Sequence, residues 1–384
     1  MTILTSQRDL EALCERLKAA DFVTVDTEFM RDRTYYSKLC LIQVADDDGA
    51  VAIDPLSDGI DLAPFWALLN QSPVLKVFHA CRQDLEIVYH ATGRVPAPIF
   101  DTQVAAMVCG FGDSVGYETL VTQITGGRLD KGARFTDWSR RPLSQRQIDY
   151  ALGDVTHLRK IYEKLSARLD AAERRSWVEE EMTLLTDPKT YEIDPEDAWR
   201  RVKFRSRSPR YFAQIQAIAA WREREAQSRD IPRNRVARDE ALLEIAAHTP
   251  DSAEALDQVR GLSKNFGRSR SGKALLEVVQ RTHQIPKEDL PEPPAPGRRA
   301  SPGPVADLLK VFLKLRAKES EVAPKLLASS DDIDLLALSD DADIPAKHGW
   351  RYEIFGRDAL AIKHGELVLI PNGNRIAAVA RNEL

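Results

Sequence analysis

The order of apolar and polar positions divides the chain into a mixed first half and a helical second half. Phe22, Val23 and Val25 open a run with the composition of a strand over residues 21–29. Residues 39–45 and 50–53 repeat it, joined by the turn Asp46-Asp47-Asp48-Gly49. Three strands linked so tightly predict an antiparallel meander. The pattern then alternates: helix 63–69, strand 74–78, helix 83–91, strand 98–100, and helices 102–108, 117–124 and 144–169. Ser144 with Gln147 three residues on has the spacing of a capping box. The fold class that follows is α/β, a mixed sheet flanked by helices.

From residue 211 the periodicity is helical throughout. Ile215, Ile218, Ala219 and Trp221 recur at helical spacing, as do Leu242, Leu243, Ile245 and Ala246, then Leu275, Leu276 and Val279. Two breaks separate the blocks. Residues 187–208 lack a period, and residues 285–304 contain Pro286, Pro291, Pro293, Pro294, Pro296, Pro302 and Pro304, a stiff extended connector. The organisation read from this is a catalytic unit at 1–186, a linker at 187–208, a helical domain at 209–284, a proline-rich linker at 285–304 and a second helical domain at 305–384. Gly261-Leu262 with Phe266-Gly267 resembles Gly349-Trp350 with Phe355-Gly356, so the second helical block reads as a degenerate duplicate of the first.

Composition changes the picture only locally. The 384 residues are 43% hydrophobic and 29% charged, which suits a soluble globular protein. No apolar run is long enough to span a membrane, and residues 1–13 lack the pattern of a secretory signal. The four cysteines form no CxxC pair, which disfavours a zinc knuckle and makes a reducing cytoplasm the expectation. The net charge of −5 hides a basic stretch from Arg200 through Arg210, continued by Arg222, Arg224, Arg229, Arg233, Arg235 and Arg238. Local sign governs phosphate binding more than total charge does, so a polyanionic partner remains open.

Candidate chemistry sits in three short clusters. Asp26 and Glu28 are two apart on a predicted strand, so both carboxylates face one way. Two acids on a central strand repel and desolvate at a cost of several kcal/mol unless a cation joins them. Asp84 falls at the start of a predicted helix after a strand, where ligands gather. Tyr150 and Asp154 are four apart on the helix after Ser144 and share a face. Carboxylates are the hard ligands that Mg²⁺ or Mn²⁺ prefers, and two such ions about 4 Å apart serve phosphoryl chemistry. On this reading Asp26 bridges both ions, Glu28 and Asp154 complete the ion that activates water, and Asp84 holds the second. Tyr150 orients the water, because a phenol with a pKa near ~10 is a poor base at pH 7.

Asp26-Thr27-Glu28-Phe29, His79-Ala80-Cys81-Arg82-Gln83-Asp84 and Tyr150-Ala151-Leu152-Gly153-Asp154 resemble the three exonuclease motifs of the DEDD superfamily in its tyrosine variant. Thr34-Tyr35-Tyr36, Leu41-Ile42-Gln43, Phe100-Asp101-Thr102 and the run from Trp138 to Leu143 extend the resemblance to the bacterial ribonuclease D family. The segment from Asp230 to Glu240 is similar to that family's first HRDC domain. The resemblance implies an RNase H-like sheet, two HRDC-like helical domains and a 3′→5′ exoribonuclease that releases nucleoside 5′-monophosphates. It implies RNA as partner, in particular tRNA precursors with extra 3′ residues, and substrate contacts at Phe29, Gln43 and His79. Competing readings are a 3′→5′ DNA exonuclease and a non-catalytic RNA-binding scaffold. The intact acids argue against the scaffold.

Overall fold

A computed structural model describes residues 3–129, 132, 136–294, 302–373 and 375–383. The first unit contains β1 (Ile3–Leu4), α1 (Gln7–Leu17), β2 (Phe22–Met30), β3 (Lys38–Asp46), β4 (Gly49–Ile53), α2 (Ala63–Gln71) and β5 (Leu75–Phe78). It continues through α3 (Arg82–Thr92), β6 (Ile99–Asp101), α4 (Thr102–Val108), α5 (Tyr117–Leu120), a π-helical turn over Val121–Thr125, α6 (Gln145–Ala171) and α7 (Arg175–Leu185). The six strands form one sheet in the order β1-β4-β3-β2-β5-β6. β2, β3 and β4 are the antiparallel meander, while β5 and β6 join in parallel. The two-residue β1 and helix α1 were not anticipated, although Leu10, Leu13, Cys14 and Leu17 recur at helical spacing. α1 is nonetheless well formed, capped by Ser6, whose side chain accepts from the Asp9 N–H.

β2 is an interior strand with both faces covered. Val23 and Val25 are fully buried in the core with Phe65, Leu68, Phe78 and Leu85. Each such side chain contributes roughly 1.5–3 kcal/mol of burial. Thr24 points the other way, and its hydroxyl donates to the Val155 carbonyl of α6 at 2.8 Å. That bond fixes where the long helix crosses the sheet. α6 begins with the expected capping box, in which Ser144 and Gln147 satisfy each other's backbone N–H.

The second unit holds α8 (Pro209–Ser228), α9 (Arg233–Val236), α10 (Asp239–His248), α11 (Ala253–Leu256) and α12 (Arg270–His283) around Ile215, Ile218, Leu242, Ile245 and Leu275. The stretch before it is no loose tether. It winds into short 3₁₀ turns over Pro188–Thr190 and Pro195–Arg201. Tyr191 packs into the first core, and Ala198 and Val202 pack into the second. The third unit holds α13 (Gly303–Glu319), α14 (Pro324–Leu327), α15 (Ser330–Leu338), α16 (Gly349–Arg351) and α17 (Arg357–Lys363) around Leu309, Phe312, Ile333, Leu336 and Phe355. Part of the proline-rich connector, 295–301, lies outside the described residues. The two Phe-Gly pairs behave alike. A Cβ on Gly267 would meet the Ala253 carbonyl at 2.3 Å, and one on Gly356 would meet the Ala346 carbonyl at 1.8 Å. In both units only glycine admits that close backbone approach.

One expectation is corrected at the C-terminus. The chain does not stay helical there but closes on an antiparallel hairpin, β7 (Leu367–Asn372) with β8 (Arg375–Ala380). Leu367, Leu369 and Ala378 lean on the third core, and the hairpin folds because that surface is available to cover. Among the described residues no helix is long and apolar enough to cross a membrane.

Lys76 in β5 is fully buried. Its ammonium donates to the Ser72 and Ala97 carbonyls at 2.8 Å each, and burial pushes its pKa down to about 8 from an ordinary 10.5. Between those values the unfolded chain holds the extra proton, so stability rises with pH, by up to ~1.4 kcal/mol per pH unit. Lys76→Met should remove that rise. Denaturant unfolding from pH 7.5 to 10.5 checks it, and parallel stability curves for the two proteins would rule it out.

Candidate active site

The face of β2 that carries Thr24 also carries Asp26 and Glu28, since side chains alternate along a strand. α6 lies over that face because Thr24 is bonded to it. The register of the crossing brings Asp154 to the same spot. Asp26, Glu28 and Asp154 each offer a carboxylate oxygen, and these oxygens lie within 4.8 Å of one another. Tyr150 sits one turn earlier on α6 and borders the same cleft, of about 530 Å³. Each pair shares a face as its spacing predicted, and the crossing of α6 over β2 brings the two faces together.

Asp84 enters from below. It is buried in the first turn of α3 and accepts a hydrogen bond from the Thr27 hydroxyl, on the opposite side of β2 from Asp26. The start of α3 is itself held by Asp101. That carboxylate accepts from the Ala80 N–H at 3.0 Å, the Cys81 N–H at 2.8 Å and the Gln103 N–H at 2.7 Å. Ala80 adopts a positive φ of 56° at this corner. Asp101 thus holds α3 in place and explains the Phe100-Asp101-Thr102 motif.

The electrostatics have one sign. Burial, and then the Asp154 carboxylate, pushes Asp26 well above the ordinary carboxylate range. Burial, and then Asp26, does the same to Asp84. Protons or cations must offset this charge for the acids to stay together. The donor set is all carboxylate oxygen, which fits a hard divalent ion and not a soft one. The group that fits is therefore a divalent cation at Asp26, Glu28 and Asp154, with Asp84 beside it.

The three expected substrate contacts fare differently. Phe29 lines the cleft, displaced by a β-bulge between Glu28 and Phe29 that turns the strand's last residues. His79 also lines it. Its Nδ1 is 3.0 Å from the Thr102 hydroxyl, and burial holds its pKa below the usual imidazole value. Gln43 is fully buried directly across from Asp26 in β3 and is not among the residues that border the cleft. The strand pairing that puts it beside Asp26 also shuts it beneath α6.

Tyr117 was not anticipated. Its hydroxyl donates to the Asp154 carbonyl, with the Gly153 carbonyl at 3.3 Å, and its ring lies 5.3 Å from that of His79. Burial beside Asp154 and Asp26 pushes its pKa far up, so it remains a neutral donor. A tyrosine between motifs carries no spacing signal, so only the fold finds it. Gln83, from the second motif, and Leu129, which no motif marks, also border the cleft.

Comparison with known proteins agrees with this geometry. A family model described as 3′-5′ exonuclease matches residues 1–170, and one described as HRDC domain matches residues 212–279. The chain is 51% identical over 381 residues to ribonuclease D of Granulibacter bethesdensis, covering 98% of this chain and 96% of the relative. It is 48% identical over 382 residues to ribonuclease D of Nitrobacter hamburgensis, covering all of both. Among solved structures it is similar to Escherichia coli RNase D, described as an exoribonuclease involved in structured RNA processing. The TM-score is 0.80 at 33% identity, over 95% of this chain and 98% of that one.

The raised carboxylates make a signed prediction. A group whose folded pKa lies above its unfolded value destabilises the fold as pH rises past the unfolded value. Asp26→Asn should therefore raise the melting temperature of the cation-free protein at pH 7 and shrink the further rise given by Mn²⁺. Thermal unfolding with EDTA and with Mn²⁺ reads both. A lower melting temperature in EDTA, or an undiminished Mn²⁺ response, would contradict the cage.

Proposed function

The chain belongs to the ribonuclease D family of 3′→5′ exoribonucleases, and on that premise we propose that it trims extra 3′ residues from tRNA precursors at a pair of divalent cations. The observation that carries the reading is the meeting of Asp26, Glu28 and Asp154, whose carboxylate oxygens lie within 4.8 Å of one another, with Asp84 close enough to feel the Asp26 charge. Asp26, Glu28 and Asp154 would hold one ion, and Asp26 and Asp84 the other. Bound there, the ions supply a nucleophilic water at neutral pH and neutralise charge on the scissile phosphate.

The chain's own residues do the rest. Tyr150 directs its hydroxyl toward the attacking water and orients it. Tyr117 holds the α6 backbone at Asp154 through the carbonyl bond, so that carboxylate keeps its position as charge changes. Phe29 offers a ring on which the terminal base stacks, a contact worth ~1–3 kcal/mol. His79, kept neutral by burial, borders the place where the terminal nucleotide lies. Gln43 supports Asp26 from the neighbouring strand. Hydrolysis at the 3′ end releases a nucleoside 5′-monophosphate and leaves a new 3′-hydroxyl.

RNA is gripped away from the site as well. The first helical unit has a cleft of about 1160 Å³ bordered by Arg229, Arg235, Arg238 and Arg270. Their guanidiniums suit the phosphates of a folded RNA body recognised by shape. The cysteines are all free and buried, which suits a cytoplasmic protein.

Asp26→Ala should lower turnover at least ~10²-fold, by analogy with losing a preorganised charge-stabilising group. The decisive assay digests 3′-extended tRNA, unstructured RNA and single-stranded DNA side by side, with and without chelator. Chelator-sensitive removal of single nucleotides from the 3′-extended tRNA is expected. Equal or faster attack on DNA, or near-normal activity of Asp26→Ala, would defeat the proposal.

A further inference from the structure

The basic stretch that leads into α8 has no part in the sites described so far. Residues 203–208 follow the second 3₁₀ turn and carry no helix or strand of their own, with extended backbone at both Val202 and Ser208. Burial alternates along them. Val202 is buried and Phe204 and Ser206 are half-buried, while Lys203, Arg205 and Arg207 are exposed. The inward side is anchored by rings: Phe204 lies 5.8 Å from Phe212, 6.2 Å from Tyr211 and 6.5 Å from Trp199. The three cations therefore leave the surface on one side, as period-two alternation requires.

Both ends of the stretch are fixed. At its start the Val202 N–H donates to the Trp199 carbonyl at 3.0 Å, and Arg201 lies 3.8 Å from the buried Glu223. Glu223 also accepts from the Tyr35 hydroxyl and the Arg233 guanidinium. Tyr35 belongs to the loop that follows β2, the strand that brings Phe29 to the cleft. At the far end Ser208 caps α8 by accepting from the Tyr211 N–H, and Arg210 donates to the Thr282 carbonyl of α12 at 3.0 Å. The sequence has no acid between Asp197 and Glu223. Among the described residues Lys203, Arg205 and Arg207 make no ion pair. Arg200, Arg201, Arg224 and Arg233 nearby each have a carboxylate partner, so the three stand apart.

We propose that Lys203, Arg205 and Arg207 form a rail that binds successive phosphates along one strand of the RNA, separate from the cleft at Arg229, Arg235, Arg238 and Arg270. The inference rests on the exonuclease reading, which supplies RNA as the polyanion. Cations two residues apart on an extended chain are spaced by about 6.6 Å at ~3.3 Å per residue, close to the separation of neighbouring phosphates on a strand. Each can form a charge-assisted hydrogen bond to a phosphate, releasing the RNA's counterions without breaking an internal ion pair. Because the backbone is already held at both ends, little ordering cost opposes binding. The Arg201 end adjoins the Tyr35 loop, so the rail meets RNA on the 5′ side of the residue being removed.

The test compares the wild-type full chain with Lys203→Gln/Arg205→Gln/Arg207→Gln and with the charge-keeping Lys203→Arg/Arg205→Lys/Arg207→Lys. Binding of a single-stranded RNA and of a stem-loop of equal length without a tail is measured in EDTA over a range of salt. Neutralising three phosphate contacts should flatten the slope of log affinity against log salt by ~2 on the single strand, at ~0.7 per contact. Affinity should fall several-fold, and the charge-keeping variant should match wild type in both respects. A loss confined to the single strand assigns the rail to the unpaired 3′ arm, and a loss confined to the stem-loop assigns it to the folded body. An unchanged slope on both RNAs overturns the rail, and so does an equal loss in the charge-keeping variant. Because binding is read without hydrolysis, a wild-type protein that binds RNA but does not cut it with Mg²⁺ would refute the enzymatic reading separately.

Discussion

Like charges held so close that protons or a cation must reconcile them are the constraint from which the rest of the catalytic unit follows. Asp26, Glu28 and Asp154 stand within 4.8 Å of one another, and Asp84 adds its charge from beneath. Left to themselves these side chains would separate. They stay because each is mounted on an element whose position is set by apolar packing. β2 is covered on both faces, the entry to α3 is anchored by Asp101 through the Ala80 and Cys81 N–H groups, and α6 is locked to the sheet by Thr24. The stability of the sheet and helices therefore offsets the repulsion, and the site's affinity for a cation is the return of that strain.

α6 is the element that carries this arrangement outward. Its first turns bring Tyr150 and Asp154 over the strand, its buried stripe joins the core, and its last turns meet the third unit. A 27-residue helix is about 40 Å long at ~1.5 Å per residue, which makes it a rigid ruler across the catalytic unit. The third unit reaches the first through backbone bonds from Ala323 and Lys325 to Met107 and Asp113, and elsewhere too. Trp177 of α7 stacks on Trp350 at 4.4 Å, and the buried Arg351 pairs with Glu180. The second unit grips a different place, the loop after β2, where Asp230 accepts from the Tyr35 and Tyr36 N–H groups at 3.0 and 2.9 Å. Both helical units are thus fastened to opposite ends of the elements that build the site.

Local spacing in the sequence determined a good deal. Period-two alternation identified β2 and put Asp26 and Glu28 on one face. The four-residue spacing of Tyr150 and Asp154 put both on one side of a helix whose capping box was evident from Ser144 and Gln147. The Phe-Gly pair was legible in both helical blocks, and in each its glycine stands where a side chain would clash with backbone. All of these depend on neighbours within a few positions, and such neighbours are written next to each other in the chain.

Tertiary structure decided what depended on distant partners. Gln43 shares a face with Asp26, yet whether that face at that point opened on solvent or lay under α6 rested on a bond between residues 131 positions apart. Tyr117 earned no notice because its partner, the Asp154 carbonyl, is a backbone atom that any residue could supply. The stretch before α8 read as a linker until Tyr191, Ala198 and Val202 found cores to enter. The final hairpin read as helix because short apolar runs fit either form, and only the exposed side of the third core selected the strand. The sequence by itself named the acids and the faces they occupy. Bringing those faces together needed long-range packing, which no local period encodes.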